Sequence, residues 1–198
     1  MSDIVTEAGR IATRLSPGAR AELEKLGLGD AADTNRVAGI DHVGTRPLID
    51  KRPISAPDVL NEAYDYGTPS AFSRGMRVEL PGATMLFLSG TASVDEHGNT
   101  EHAGDFAAQC LRTYRNLTRL LASEGASWHD IVRTTCYLRD IARDYDTFNN
   151  IRTMFMQAIG LDPLPASTGI EAKLCRADLL VEIEAIAMVP RGTARDDD

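Results

Sequence analysis

The chain has 198 residues, 43% of them hydrophobic, which is enough for one ordinary domain core with an extension. Its 21 Lys and Arg against 29 Asp and Glu give a formal net charge of -8. This balance disfavours nucleic-acid binding, which needs a basic surface to neutralise phosphates. The longest uncharged stretch, residues 80–94, contains Pro and Gly and is too short to cross a bilayer. We therefore expect no membrane contact.

The N-terminal sequence indicates the cellular compartment, and the cysteines indicate whether disulfides or a metal site are expected. Residues 1–7 include Asp3 and Glu7 and no apolar signal region, so a cytoplasmic location is expected. Cys110, Cys136 and Cys175 are odd in number and lack C-x-x-C spacing. Free thiols are therefore predicted, rather than disulfides or a zinc site. We expect neither a metal nor a cofactor.

Residues 1–69 predict an N-terminal helical and extended arm. Apolar residues recur at helical spacing over residues 4–15. Ser16 and Pro17 then offer an N-cap and a first-turn proline for a second helix that stops near residues 27–29. Residues 30–69 are polar, carry four prolines and show no sustained period, which favours an extended arm. An arm of this length is expected to pack on the core or on a neighbouring subunit.

A domain is predicted over residues 70–190, followed by a disordered acidic tail at 191–198. The predicted elements, in chain order, are strands over Met76–Leu80 and Thr84–Ser89, a helix capped by Asp105 and stopped at Gly125, a strand over Ile131–Leu138, a helix over Tyr145–Ala158, and strands over Ser167–Leu174 and Leu179–Val189. The order ββαβαββ predicts an α+β fold, in which two helices pack on one face of a mixed β-sheet.

The last predicted strand places two carboxylates together. Side chains alternate between the two faces of a strand. Residues 181, 183, 185, 187 and 189 are therefore expected to face the helices, and Glu182, Glu184, Ile186 and Met188 the opposite side. Because Ile186 and Met188 would be costly to leave in water, a subunit contact over this face is expected. Such a contact would half-bury Glu182 and Glu184 and raise their proton affinity. On the strand pattern alone, the alternative remains that both glutamates are solvated or salt-bridged at the surface.

Seven segments of the chain match, in the same order, segments of a known protein family. They are residues 71–74, residues 88–93, Gln109 with Asn116, residues 128–132, residues 148–150, Pro165-Ala166 and residues 181–185. Together they resemble the RidA (YjgF) family of reactive-intermediate deaminases, also labelled endoribonuclease L-PSP. The resemblance implies a homotrimer with a cleft between each pair of subunits and Glu182 in that cleft. The ribonuclease label is disfavoured by the acidic charge balance.

The chain departs from the deaminase pattern at Ser167. Typical deaminases of the family have an arginine after Pro-Ala, and this planar cation grips the substrate carboxylate. A serine cannot supply that charge, so the standard 2-imino-acid deaminase activity is not implied. Arg74 is either the relocated anion-binding residue or one half of a surface salt bridge.

Residues 66–75, 89–93, 101–105 and 174–183 also look like the catalytic half of chorismatases. Those enzymes hydrolyse the enolpyruvyl ether of chorismate, with a glutamate that protonates the methylene carbon. By motif that glutamate is Glu182, and Cys175 lines the ring pocket. Chorismatases carry a much longer N-terminal domain than the arm of this chain.

The sequence thus predicts an enzyme acting on a small enamine, imine or enol-ether carboxylate, with Glu182 as general acid and base and water as nucleophile. The predicted substrate-binding residues are Arg74, Gly90, Thr91, Asn149, Phe72, Ser167 and Cys175. Gly90 either holds the anion with its backbone N–H or is a plain turn residue. Asn149 either lies in the pocket or caps the helix. The alternative function is a non-catalytic trimer that binds a metabolite and regulates a partner.

Overall fold

A computed structural model of the chain describes residues 16–25, 49–67 and 69–191. The chain divides into two compact units, residues 1–48 and residues 49–198. In the first unit, helix α1 spans Pro17–Lys25, and the backbone N–H of Ala19 donates to Ser16 Oγ at 3.2 Å, which confirms the predicted N-cap. The predicted helix over residues 4–15 and the tail after residue 191 lie outside the described residues.

The described residues of the second unit form six strands and two long helices. In chain order these are β1 (Lys51–Pro53), β2 (Gly75–Leu80), β3 (Ala83–Ala92), α2 (Phe106–Ser123), β4 (Ile131–Leu138), α3 (Ile141–Ala158), β5 (Ala166–Glu171) and β6 (Val181–Pro190). The predicted order ββαβαββ is confirmed, with β1 added before it. The turn between β2 and β3 uses Gly82 at a φ of +77°, a conformation that glycine adopts without strain.

The strands form one mixed sheet in the order β1-β2-β3-β6-β4-β5. The pair β4–β5 is parallel and the remaining pairs are antiparallel. Helices α2 and α3 contact each other and cover one face, so the predicted α+β fold is confirmed. None of the helices in the described ranges is long and apolar enough to span a membrane.

Strand β6 runs through the centre of the sheet and separates its two faces. Val181, Ile183, Ala185 and Ala187 are buried in the core with apolar residues of both long helices. Glu182, Glu184 and Ile186 are half-buried on the opposite face, and Met188 is 42% exposed there. The predicted division of β6 is confirmed, because alternation along a strand is a local property of the backbone.

Helix α3 begins at Ile141, four residues before the predicted Tyr145. The Asp140 carboxylate caps it by accepting from the backbone N–H of Arg143 at 3.0 Å. The first turn is rich in charged residues, which gives no apolar period by which to recognise it. Asn149 therefore lies in the middle of α3, and the alternative that it caps the helix is wrong.

The bounds of three strands also differ from the prediction. Strand β3 continues past Ser89 to Ala92, with a register shift against β6 between Leu88 and Thr91. Gly90 therefore lies within a strand and not just past one. Strand β5 ends at Glu171 and β6 begins at Val181, because the side chains of Gln109 and Arg139 hold the intervening loop through its backbone groups.

The segment before residue 70 contributes to the core. Strand β1 pairs with β2, and Ile54 and Leu60 are buried beneath the sheet. The compact unit thus begins at Ile49, about twenty residues before the predicted domain start at 70. A strand of three residues ending in Pro53 has no alternating pattern, and for that reason it was predicted only as extended chain.

Truncating Ile54 tests whether this segment belongs to the folded core. Ile54 is fully buried whereas Ile49 is 62% exposed. We expect Ile54→Ala to lower the free energy of unfolding by about 2–5 kcal/mol, the cost of a buried cavity. The matched variant Ile49→Ala is expected to change it little. Urea denaturation measures both, and equal losses would show that residues 49–54 do not pack as described.

Candidate active site

One cavity of about 570 Å³ lies where β3 ends and β6 begins. Six of the predicted site residues line it: Phe72, Arg74, Gly90, Thr91, Cys175 and Glu182. Tyr66, Ser70 and Arg176 are further polar residues of its lining, and Leu60 and Leu179 are among its apolar walls. Residues distant in sequence therefore meet around the carboxylate of the last strand.

The Glu182 carboxylate packs directly against the backbone of Gly90. A Cβ built at Gly90 would lie 1.9 Å from Glu182 Oε1, far inside van der Waals contact. The register shift in β3 places this glycine beside Glu182, and bulges of this kind commonly redirect side chains near functional sites. Gly90 is thus the residue that leaves room for the carboxylate.

The surroundings of Glu182 favour its protonated form. Burial raises the pKa of the Glu182 carboxyl, and the neighbouring charge of Glu184 raises it further. Arg176 acts in the opposite direction, so the pKa is set by burial against a nearby cation. A carboxyl group that keeps its proton at higher pH is suited to proton donation.

Arg74 is 5% exposed, which excludes the surface salt bridge considered above. Its Nε donates to the Asn61 carbonyl at 2.7 Å, and its Nη2 donates to the Asn61 carbonyl and side chain. The guanidinium also lies 5.1 Å from the ring centre of Tyr66 and 5.6 Å from that of Phe72. These contacts fix the cation at the wall of the cavity, since an aromatic face attracts a guanidinium.

Arg176 is a cavity residue that the sequence analysis did not single out. Its Nη1 donates to the Gly98 carbonyl, and its guanidinium carbon lies 5.5 Å from the ring centre of Tyr66. It also lines an adjoining cleft of about 360 Å³. The available signal was its place next to Cys175 in the chorismatase-like segment.

The buried Gln109 and Asn116 and the half-buried Arg139 hold the loops around the cavity through their side chains. Gln109 donates to the Asp178 carbonyl and accepts from the Leu180 N–H, both at 2.8 Å. Arg139 donates to the carbonyls of residues 174, 176 and 179. Asn116 Nδ2 donates to the Ala92 and Val94 carbonyls at 3.0 and 2.9 Å. Gln109 and Arg139 thus position the loop that carries Cys175 and Arg176, and Asn116 holds the backbone at the end of β3.

Two further residues form the wall of the cavity. Thr91 is buried, and its hydroxyl donates to the Ser89 carbonyl at 3.0 Å. Cys175 is exposed, whereas Cys110 and Cys136 are buried, and all three are free thiols as predicted. Among the described residues, no group of three His, Cys, Asp or Glu is placed to hold a metal ion.

Asn149 and Ser167 do not reach the Glu182 cavity of their own chain. Asn149 Oδ1 accepts from Arg152 Nη2, and Ser167 Oγ accepts from Arg152 Nη1 at 3.3 Å. Ser167 and Arg152 line a second cavity of about 710 Å³ between α3 and β5. Ser167 pairs with Thr134, which is buried beneath the helices, so Ser167 faces the side of the sheet opposite to Glu182.

Residues 68–189 match the endoribonuclease L-PSP family. The chain belongs to this family, which is the RidA (YjgF) family. The E. coli YjgF protein has the same fold with a TM-score of 0.56 and 27% identity, over 71% of this chain and 99% of that one. The family match begins close to the predicted domain start, and β1 lies outside it.

Two curated relatives carry enzyme names. The 3-aminoacrylate deaminase RutC of Acinetobacter baylyi is 29% identical over 53% of this chain and 79% of its own length. The chorismatase of Streptomyces rapamycinicus is 30% identical over 60% of this chain. The matched region spans 36% of that chorismatase.

Adding a methyl group at Gly90 tests the close contact with Glu182. We expect Gly90→Ala to push the carboxylate away from β3, so that the Glu182 pKa falls toward its ordinary value. NMR titration of the glutamate carboxyl carbons measures this. The control is Gly67→Ala, because a Cβ at Gly67 meets nothing within 4 Å. An unchanged Glu182 pKa in the folded Gly90→Ala protein would contradict the contact.

Two charge deletions are expected to move the Glu182 pKa in opposite directions. Glu184→Gln removes a like charge, so the pKa falls, and Arg176→Gln removes a cation, so the pKa rises. The same NMR titration, without any ligand, separates this effect from substrate binding. Glu96→Gln, on an exposed loop, is the control. Shifts of the same sign in both variants would refute this electrostatic account.

Proposed function

We propose that this protein is an enzyme that hydrolyses a small unsaturated carboxylate, either an enamine or imine or an enol ether, without a cofactor. The observation that carries the proposal is the half-buried Glu182, with its raised pKa, in a cavity that also contains two arginines. Arg74 and Arg176 form no ion pair with a carboxylate in the described part of the chain. We propose that they hold an anionic substrate beside the proton donor.

In the proposed reaction, Glu182 protonates the outer carbon of the double bond. The adjacent carbon, which bears oxygen or nitrogen, then carries the positive charge and is attacked by water. The Glu182 carboxylate takes the proton from that water. In the adduct, the proton of the new hydroxyl group moves to the leaving oxygen or nitrogen, so collapse releases an alcohol or ammonia and leaves a carbonyl product. An imine substrate is first protonated on its nitrogen by Glu182 and then follows the same sequence from the attack of water.

The named relatives support this range of substrates. One is named as the deaminase of 3-aminoacrylate and another as a chorismatase. Ser167 stands where typical deaminases of the family have an arginine, so we do not propose the standard 2-imino-acid deaminase activity. Phe72, Thr91 and Cys175 would shape the pocket, and the N–H of Gly90 would hold the anion or a developing negative charge.

We further propose that the protein assembles as a homotrimer with its active sites between subunits. Apolar side chains on the open sheet face, including Phe87 and Met188, are exposed in the single chain. The same face has a cavity of about 410 Å³ that includes Glu184 and Ile186. Exposed apolar patches of this kind are typical of interfaces. Asn149 and Ser167 would join the site only from a second copy.

Removing the acid function of Glu182 tests the catalytic proposal. A panel of enamine and enol-ether carboxylates is screened for release of 2-oxo acid. We expect Glu182→Gln to lower the rate by about 100-fold to 10,000-fold, the usual contribution of a general acid or base. Glu96→Gln carries the same chemical change on an exposed loop and is expected to keep the wild-type rate.

Equal turnover by the Glu182→Gln and wild-type proteins would refute the catalytic role of Glu182. Binding of panel compounds without turnover by the wild-type protein would favour the alternative, a non-catalytic trimer that binds a metabolite. Circular dichroism and sedimentation of each variant show whether a lost rate reflects lost folding or assembly.

A further inference from the structure

Arg152 of α3 is a cation at a cavity wall that the proposed reaction has not used. Its two Nη atoms donate to neutral oxygens of Asn149 and Ser167, and its guanidinium carbon lies 5.3 Å from the ring centre of Phe148. It forms no ion pair with a carboxylate in the described part of the chain. The fork is thus held in place while its charge is left uncompensated by these contacts.

The surroundings of Arg152 are those of a contact surface. Strand β5 is the edge of the sheet, and an edge strand offers unpaired backbone groups to another chain. Leu164 is 66% exposed beside it, and Tyr145 and Ile170 are also exposed. Apolar side chains around an open edge favour coverage by a second protein surface.

A single chain does not bring its own Arg152 to its own Glu182. Strand β4 lies between β5 and β6, and Ser167 and Glu182 face opposite sides of the sheet. A head-to-tail contact, in which the β5 edge of one copy meets the open face of the next, closes into a ring when the rotation permits. A contact of this kind covers the exposed apolar groups of both surfaces.

We propose that Arg152 of one copy completes the Glu182 cavity of the adjacent copy and binds the substrate carboxylate there, alongside Arg74 and Arg176 of that copy. The inference rests on the proposed function and on the proposed assembly. Ser167 has no charge, and the Arg152 guanidinium lies against its hydroxyl, so the helix supplies the cation that the strand lacks. Asn149 and Phe148 are positioning residues, which orient the guanidinium plane for a two-point contact with a carboxylate.

Pyruvate, as a small 2-oxo carboxylate, probes the binding step independently of turnover. We expect Arg152→Gln to weaken pyruvate binding at least tenfold by calorimetry, and Arg152→Lys to weaken it less. Arg115→Gln, which removes an exposed arginine from α2, is the matched control and is expected to bind as wild type. Unchanged pyruvate binding by folded Arg152→Gln would overturn the proposal, whatever the result for Glu182→Gln.

Mixed assemblies show whether Arg152 acts across the interface. Glu182→Gln and Arg152→Gln subunits are refolded together, and 2-oxo acid release is measured at low substrate concentration. If the residues act in trans, about one quarter of the sites in a random mixture have both groups intact, and activity returns. If they act within one chain, every site keeps one defect and no activity returns. Failure to regain activity in verified mixed assemblies would overturn the inference while leaving the role of Glu182 intact.

Discussion

The contact between the Glu182 carboxylate and the backbone of Gly90 is the constraint on which the site depends. A side chain at residue 90 would occupy the space of Oε1, so the carboxylate position requires glycine at the register shift of β3. The same close packing removes water from the carboxylate and raises its pKa. The close packing that the strand geometry imposes is therefore the largest cause of the raised pKa, and the charge of Glu184 adds to it.

The helices matter to the site through their buried polar groups. Gln109 and Asn116 are completely buried, and an amide in that position is costly unless it is hydrogen-bonded. Each donates to backbone carbonyls at the cavity, and Gln109 also accepts from the Leu180 N–H. Because the penalty for breaking these bonds is high, Gln109 restricts the loop that carries Cys175 and Arg176, and Asn116 restricts the backbone at the end of β3. Hydrogen bonds from buried side chains thus hold residues that line the cavity.

Sequence reasoning succeeded where the governing rule is local. Alternation along β6 identified both faces, and the glycine turn fixed the β2–β3 hairpin. It failed where distant contacts decide the structure. Strand β1 forms because it can pair with the edge of β2. Arg176 is held at the cavity by a hydrogen bond to the carbonyl of Gly98, a residue distant from it in the sequence. Asn149 was assigned to the wrong turn because a charged first turn hides the start of α3.

The arginines of the two cavities form no ion pairs in the described part of the chain, although the chain is rich in carboxylates. With 29 acidic residues against 21 basic ones, the chain has no shortage of carboxylates for ion pairs. Arg52, Arg77 and Arg143 form such pairs with Glu124 and Asp144, whose carboxylates are largely buried. The arginines at the cavities instead contact carbonyls, amides and aromatic rings, which orient a cation without neutralising it. Since salt screens the overall negative charge beyond about 8 Å, these local cations govern the binding of a small anion.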